Sequence, residues 1–287
     1  MHQAFNGSRA LIRSSAARQA SIHIKKYIVQ FVRLMCITSV LFMLSPHIAY
    51  AESISNMGDA INQAGRQRML TQRMLKNYAL IGQSIRGRSA QKHLDDAITL
   101  FDQQLTNLKR YSNDDNTLEL LANVTSQWGP IKIEFQQAPQ KEKALALRNK
   151  NDALLAATHQ VVIALERQSP TKTGQLVNIA GRQRMLSQRM AASYALMAWG
   201  FEAEINPIYQ QAYDEFNSAL GYLSSNPTNS SAISSSLADV RQQFRRFTMT
   251  SQAAGEQVYV PGLIDRSAEK ILDRMNEVTR LYADTFR

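Results

Sequence analysis

The chain of 287 residues holds one cysteine, Cys36, two tryptophans, seven prolines and twelve glycines, and it has no acidic residue before Glu52. A lone cysteine excludes an intrachain disulfide framework and a zinc-cysteine site. No phosphate-cradling glycine loop, carboxylate pair or serine, histidine and aspartate arrangement recurs, so the chain reads as non-catalytic and without a cofactor. Of the five histidines only His93 and His159 lie beyond the leader, and no metal-ligand spacing surrounds them, so no metal site is expected. Sustained period-two alternation of apolar residues is missing, which excludes a sheet. Long apolar runs are missing too: the longest, Leu34 to Leu44, is too short to span a bilayer comfortably.

What precedes Glu52 is basic. Arg9, Arg13, Arg18, Lys25, Lys26 and Arg33 lead into the apolar run, and Ala49-Tyr50-Ala51 closes it. A basic leader, an apolar core and an A-x-A ending predict a secretory signal peptide over 1–51, cleaved after Ala51, with an uncleaved membrane anchor as the alternative. The expected location is periplasmic. Residues 52–287 then carry 27 basic against 23 acidic side chains, a net +4 rather than the +10 of the whole chain, and a nucleic-acid partner loses its main support.

What the chain has in abundance is itself. Asn62 to Leu80 returns 116 residues later as Asn178 to Leu196, with fourteen of nineteen positions identical. One unit has been used twice. Phe101, Leu105 and Leu108 recur as Phe216, Leu220 and Leu223, Trp128 falls opposite Phe244, and Val161-Val162 pairs with Ile271-Leu272.

Each unit reads as four helices, about 53–86, 90–111, 116–137 and 142–168, then 170–202, 205–224, 229–254 and 262–285. Pro139, Pro207 and Pro261-Gly262 are expected to interrupt helical runs. The fold class is all-α: two tandem four-helix up-down bundles, 52–168 and 169–287, after the signal peptide. Ser169 as N-cap and Pro170 at the first helical position start the fifth helix. A tight turn there lays the bundles side by side with the motif helices parallel; a continuous helix stacks them end to end.

In heptads, Ile54, Ile61, Arg68, Leu75 and Gly82 share one seam position of the first helix, and Arg184 takes the same central place in the second copy. A guanidinium facing a partner helix needs compensation, because an unpaired buried charge costs several kcal/mol. The local sequence offers none: between Asp59 and Asp95, and between Glu166 and Glu202, there is no acidic residue. Two such helices meeting at Gly65 and Gly181 bring the arginines together, and a small planar oxyanion between them meets the guanidinium fork. The alternative is an arginine satisfied from another helix, by Asp95, Asp96 or Glu119. Arg66 and Arg182 read as exposed, and Tyr78 and Tyr194 as core residues whose hydroxyls reach a partner.

Asn-x-Ala-Gly-x-x-Arg-Met, at Asn62 to Met69 and Asn178 to Met185, resembles the N-terminal sensor domain of type IV pilus methyl-accepting chemotaxis transducers, the PilJ-type domain. It is also similar to the periplasmic domain of nitrate/nitrite sensor kinases. The resemblance, strong over 54–85 and 170–201, implies a four-helix bundle whose motif helices clasp an anion, in the nitrate sensors between two subunits. The arginine before the methionine holds the ligand there, and it falls on Arg68 and Arg184. The expected ligand-binding residues are Arg68, Arg184, Gly65, Gly181, Asn62 and Asn178, with Arg73 and Arg189 beside them. The expected partners are a small inorganic anion, nitrate or nitrite first, and a membrane sensor kinase or chemoreceptor. Motif helices pair within one chain or between two chains of a homodimer. The rival function is a structural or adaptor module that docks on a membrane sensor and binds no small ligand. Relatives continue into a signalling module, whereas this sequence stops at Arg287, and Arg66-Gln67 and Arg182-Gln183 add charge that the nitrate sensors need not have.

Overall fold

The computed structural model describes residues 53–168, 172–253 and 258–285. The expected signal peptide and the Ser169-Pro170 cap lie outside the described residues. Those described form eight helices and no strand: α1 Met57–Gly82, α2 Gly87–Tyr111, α3 Asp115–Gln136, α4 Lys141–Gln168, α5 Lys172–Ala198, α6 Glu202–Ser224, α7 Ser231–Ala253 and α8 Pro261–Asp284. None is long and apolar enough to cross a membrane.

Local chemistry sets several of the ends. Asn56 caps α1 by accepting from the Asp59 N–H, and Asp114 caps α3 by accepting from Thr117. Pro261 opens α8, where its missing N–H costs nothing. The first and fifth helices stop about four residues earlier than the sequence reading placed their ends. Ser84 (φ 58°) and Arg86 (φ 52°) turn the chain after α1, and Gly200 (φ 101°) does so after α5. Pro207 does not interrupt a helix; it lies inside α6, near enough to the N-terminus that only one ladder bond is lost.

Each copy packs as a four-helix group, α1 to α4 and α5 to α8, and the two groups form one compact body whose centre is the long contact of α1 with α5. The two motif helices run parallel and in register: Gly65 meets Gly181 near their starts, and Gly82 meets Trp199 near their ends. This is the side-by-side geometry. Because α1 also touches α2, α4 and α8, and α5 touches α6 and α8, both are buried nearly all round. Leu70, Met74 and Leu80 in α1 and Met190, Leu186 and Leu196 in α5 are fully buried, each contributing roughly 1.5–3 kcal/mol relative to exposure. Gln67, Gln72, Asn77, Gln183 and Gln188 are buried with them, where a two-sided heptad seam would leave them in water.

Equivalent residues do equivalent work. Trp128 stacks near Phe101 (4.4 Å between centroids) and Phe244 near Phe216 (4.5 Å). The Tyr78 hydroxyl accepts from the Gln140 N–H at 3.0 Å, and the Tyr194 hydroxyl from the Val260 N–H at 3.2 Å. One pairing shifts by a heptad. Burial aligns Leu147, Leu154, Leu155, Val161 and Leu165 of α4 with Ile264, Ile271, Leu272, Val278 and Tyr282 of α8, so Ile271-Leu272 corresponds to Leu154-Leu155 and not to Val161-Val162. A heptad slip leaves the buried face unchanged, which is why apolar pattern alone misplaced it.

Candidate functional site

Arg68 and Arg184 reach across the α1–α5 contact toward each other's helix. Arg68 Nη2 donates to the Asn178 side-chain oxygen at 2.8 Å and to its backbone carbonyl at 3.3 Å; Arg184 Nη2 donates to the Asn62 carbonyl at 3.0 Å. Both side chains are buried, with 2 % and 0 % of their surface exposed.

The glycines make the crossing feasible. A Cβ on Gly65 would stand 3.3 Å from Arg184 Nη2 and 3.4 Å from Arg68 Nη2, and a Cβ on Gly181 would meet the same two groups at 3.3 and 3.5 Å. The two amino groups thus border one small space between the helices. Thr71 and Ser187 each donate to the carbonyl of the arginine three residues before, at 2.8 Å, so the Thr/Ser exchange between copies preserves that local bond.

Neither arginine has a carboxylate partner among the described residues. Asp96 pairs with Lys92, Asp95 accepts from Gln91, and Glu119 is exposed, so the expected alternative donors of charge are elsewhere. The remaining contacts are neutral: Arg68 Nη1 is 3.0 Å from His159 Nδ1, and Arg184 Nη1 donates to the Asn276 side chain at 3.4 Å. Both Nε groups are buried without a bond, as is the Asn62 side-chain oxygen. Glu166 stands one step removed, accepting from the Asn178 amide.

Burial, with the Arg182 charge adding to it and Glu166 opposing it, pushes the Arg68 pKa down to about 9. Burial together with the Arg66 and Arg68 charges pushes that of Arg184 well below its usual value. His159 is lowered to about 4 by burial and then by Arg68 and Arg182, so it is neutral near pH 7 and its Nδ1 can accept from Arg68. The centre of the molecule is therefore a pair of uncompensated cations, an arrangement that costs several kcal/mol unless negative charge joins it.

The flanks of the pair differ. Beside Arg68 a cavity of about 240 Å³ opens between α4 and α5, bordered by Arg68, Asp152, His159, Arg182, Met185 and Arg189. Asp152 is held by Arg148 at 2.6 Å and Arg182 by Glu215 at 2.5 Å, while Arg189 is in no ion pair among the described residues. Arg182 is half-buried, not exposed as the sequence suggested, because Glu215 of α6 draws it in; Arg66 is likewise half-buried. On the other flank Arg73 pairs with Glu269 at 2.6 Å, and the buried Lys76 bridges Glu269 and Asp265, which also binds Arg86 at 2.5 Å. Arg73 is thus an ion-pair residue, directed away from the glycine contact. The second copy has Ala192 where the first has Lys76, and the first has Arg148 where the second has Asp265, so this closure exists once.

Six of the eight expected residues, Asn62, Gly65, Arg68, Asn178, Gly181 and Arg184, meet at one point; Arg189 borders the outer cavity and Arg73 lies outside. His159 and Asn276 escaped the sequence reading. Equivalent positions in α4 and α8 carry them, a correspondence visible only once the heptad shift is corrected.

Against this geometry, the family description type IV pili methyl-accepting chemotaxis transducer N-term, PilJ, matches residues 50–160 and 168–259, one region in each copy. The chain belongs to the PilJ family. No curated protein and no solved structure matches it. Membership in the PilJ family assigns the chain to chemotaxis signal transduction, as a helical module of the chemoreceptor kind with membrane partners.

Proposed function

We propose that this PilJ-family chain is a periplasmic sensor module in which Arg68 and Arg184 hold one small oxyanion, nitrate or nitrite first among candidates, between α1 and α5. The observation that carries the reading is the pair of buried guanidiniums whose contacts are all neutral. Two N–H groups from each fork suit a planar oxyanion, and the unbonded Nε groups supply further donors. Each charge-assisted contact contributes roughly 1.5–3 kcal/mol, which supports micromolar to millimolar affinity. Each copy, 52–168 and 169–287, lends one motif helix, so the site needs no second chain. The cavity beside His159 and Arg189 is the route inward. An anion that neutralises the pair lets α1 and α5 approach, and α8, which packs on both, carries the displacement toward a membrane partner.

Thermal unfolding in nitrate, nitrite, sulfate, phosphate and chloride at matched ionic strength tests the proposal. A shift selective for one anion and linear in the logarithm of its concentration is expected from linkage. No selective shift for any of them overturns it and leaves the adaptor reading, a helical module that docks on a membrane sensor.

A further inference from the structure

The two copies are alike in fold, but one end of the second has been rebuilt. In the first copy Tyr78 packs edge-on against the buried Phe135, centroids 6.0 Å apart. By the Trp128/Phe244 correspondence, Phe135 of α3 becomes Ser251 of α7. By the Phe101/Phe216 correspondence, the core residues Leu94 and Ile98 of α2 become Tyr209 and Tyr213 of α6. An apolar plug has gone and two phenols have arrived.

The result is a cavity of about 220 Å³ bordered by Tyr194, Tyr209, Tyr213, Tyr259, Ser251 and Glu202, among others. Tyr259 meets Tyr194 edge-on, 5.2 Å and 75° apart, and Tyr209 is tilted against it by 58° at 6.4 Å. Steeply inclined rings form the walls of a box. Tyr209 donates to the Ser251 hydroxyl at 3.2 Å, which fixes that wall where Phe135 fills the space in the first copy. Among the described residues Glu202 is the carboxylate at the border and no lysine or arginine borders the cavity, in a chain whose formal net charge is +10. Burial raises the pKa of Tyr209, and that of Tyr259 reaches about 12 through burial and the neighbouring Glu202, so both rings stay neutral.

We propose that the tyrosine box at the α5–α6–α7 end of the second copy binds a small organic cation, an ammonium carrying alkyl groups, with the rings as π-faces and Glu202 as counter-charge. Aromatic faces attract such cations within about 6 Å of the ring centroid, most strongly where water is excluded, and an alkylated ammonium has few hydrogen bonds to lose on leaving water. The neighbouring Phe201 ring already carries Lys141 Nζ at 5.6 Å from its centroid, an internal instance of the same attraction. This inference stands independently of the anion site.

Titration calorimetry of the full chain with tetramethylammonium chloride, against sodium chloride at equal ionic strength, tests it. Saturable binding of one tetramethylammonium per chain is expected, with sodium giving none. Ser251→Phe, which restores the first copy's residue, is expected to weaken it at least tenfold. Glu202→Gln, an exposed substitution that leaves the fold intact by circular dichroism, is expected to do the same. Arg68→Met is expected to leave it unchanged. Absence of saturable binding by the wild type, or unchanged affinity in the folded Glu202→Gln variant, overturns the proposal.

Discussion

Replacing Arg184 by methionine should make the protein more stable when no anion is present. The guanidinium is fully buried, faces Arg68 across the glycine contact, and has no carboxylate partner among the described residues. Methionine removes the charge and keeps much of the apolar stem. The bonds given up are few: the Asn62 carbonyl is a helix acceptor that keeps its own helical donor, and the Asn276 contact is long at 3.4 Å. Replacing buried charge with packed apolar side chains typically stabilises by about 1–4 kcal/mol, and a small residual void takes back part of that, leaving roughly 1–3 kcal/mol. For a body of this size each kcal/mol moves Tm by roughly 2–4 °C, so a rise of about 2–12 °C is expected in anion-poor buffer by scanning calorimetry. The gap then closes with ligand. At an anion concentration one hundred times Kd the wild type gains about 2.7 kcal/mol, while the variant, lacking one arm of the clasp, gains nothing selective. A variant less stable than the wild type in anion-poor buffer would refute the reasoning, since it would mean that Arg184 is already compensated.

His159 provides a pH dependence. Its pKa is about 4 folded against 6.5 unfolded, so above pH 6.5 it contributes nothing, and between 6.5 and 4 only the unfolded chain takes up its proton. Stability should therefore fall by about 1–2 kcal/mol across that window, less than the full shift implies because the side chain is half-buried. The His159→Asn variant, which copies Asn276, should lose that part of the dependence in urea melts. Lys76→Ala leaves the buried Asp265 with Arg86 alone and Glu269 with Arg73 alone, and should cost about 1–3 kcal/mol at pH 7, read as a Tm drop of more than about 2 °C with or without anion. Gly82→Ala should destabilise by about 1–3 kcal/mol despite alanine's better helix propensity, because its Cβ would overlap the Trp199 ring; chemical denaturation measures the sign.

The duplication, the helices and the meeting of Arg68 with Arg184 at Gly65 and Gly181 were legible in the chain, because identity at a fixed spacing and a charge inside a seam are both local signals. The near-complete burial of α1 and α5 was not. Gln67, Gln72 and Asn77 look like solvent positions to any two-faced helical pattern, and they are enclosed only because each motif helix touches helices of its own copy as well as the other motif helix. The capture of Arg73 by Glu269, 196 residues away, depends on α8 packing against α1, which no spacing encodes. The same holds for His159 and Asn276, whose roles follow from a register that apolar pattern leaves ambiguous by one heptad. The tyrosine box was hidden by the similarity of the copies, since its cause is a difference, Phe135 against Ser251.

The central claim is one anion held jointly by two arginines of one chain, and calorimetric titration of the full chain with sodium nitrate at constant ionic strength tests it most directly. The account predicts a stoichiometry of one per chain, abolished by Arg68→Met and by Arg184→Met separately, with nitrite and then sulfate titrated in the same way if nitrate is silent. Anion binding that survives either single substitution, or two independent sites per chain, would contradict it.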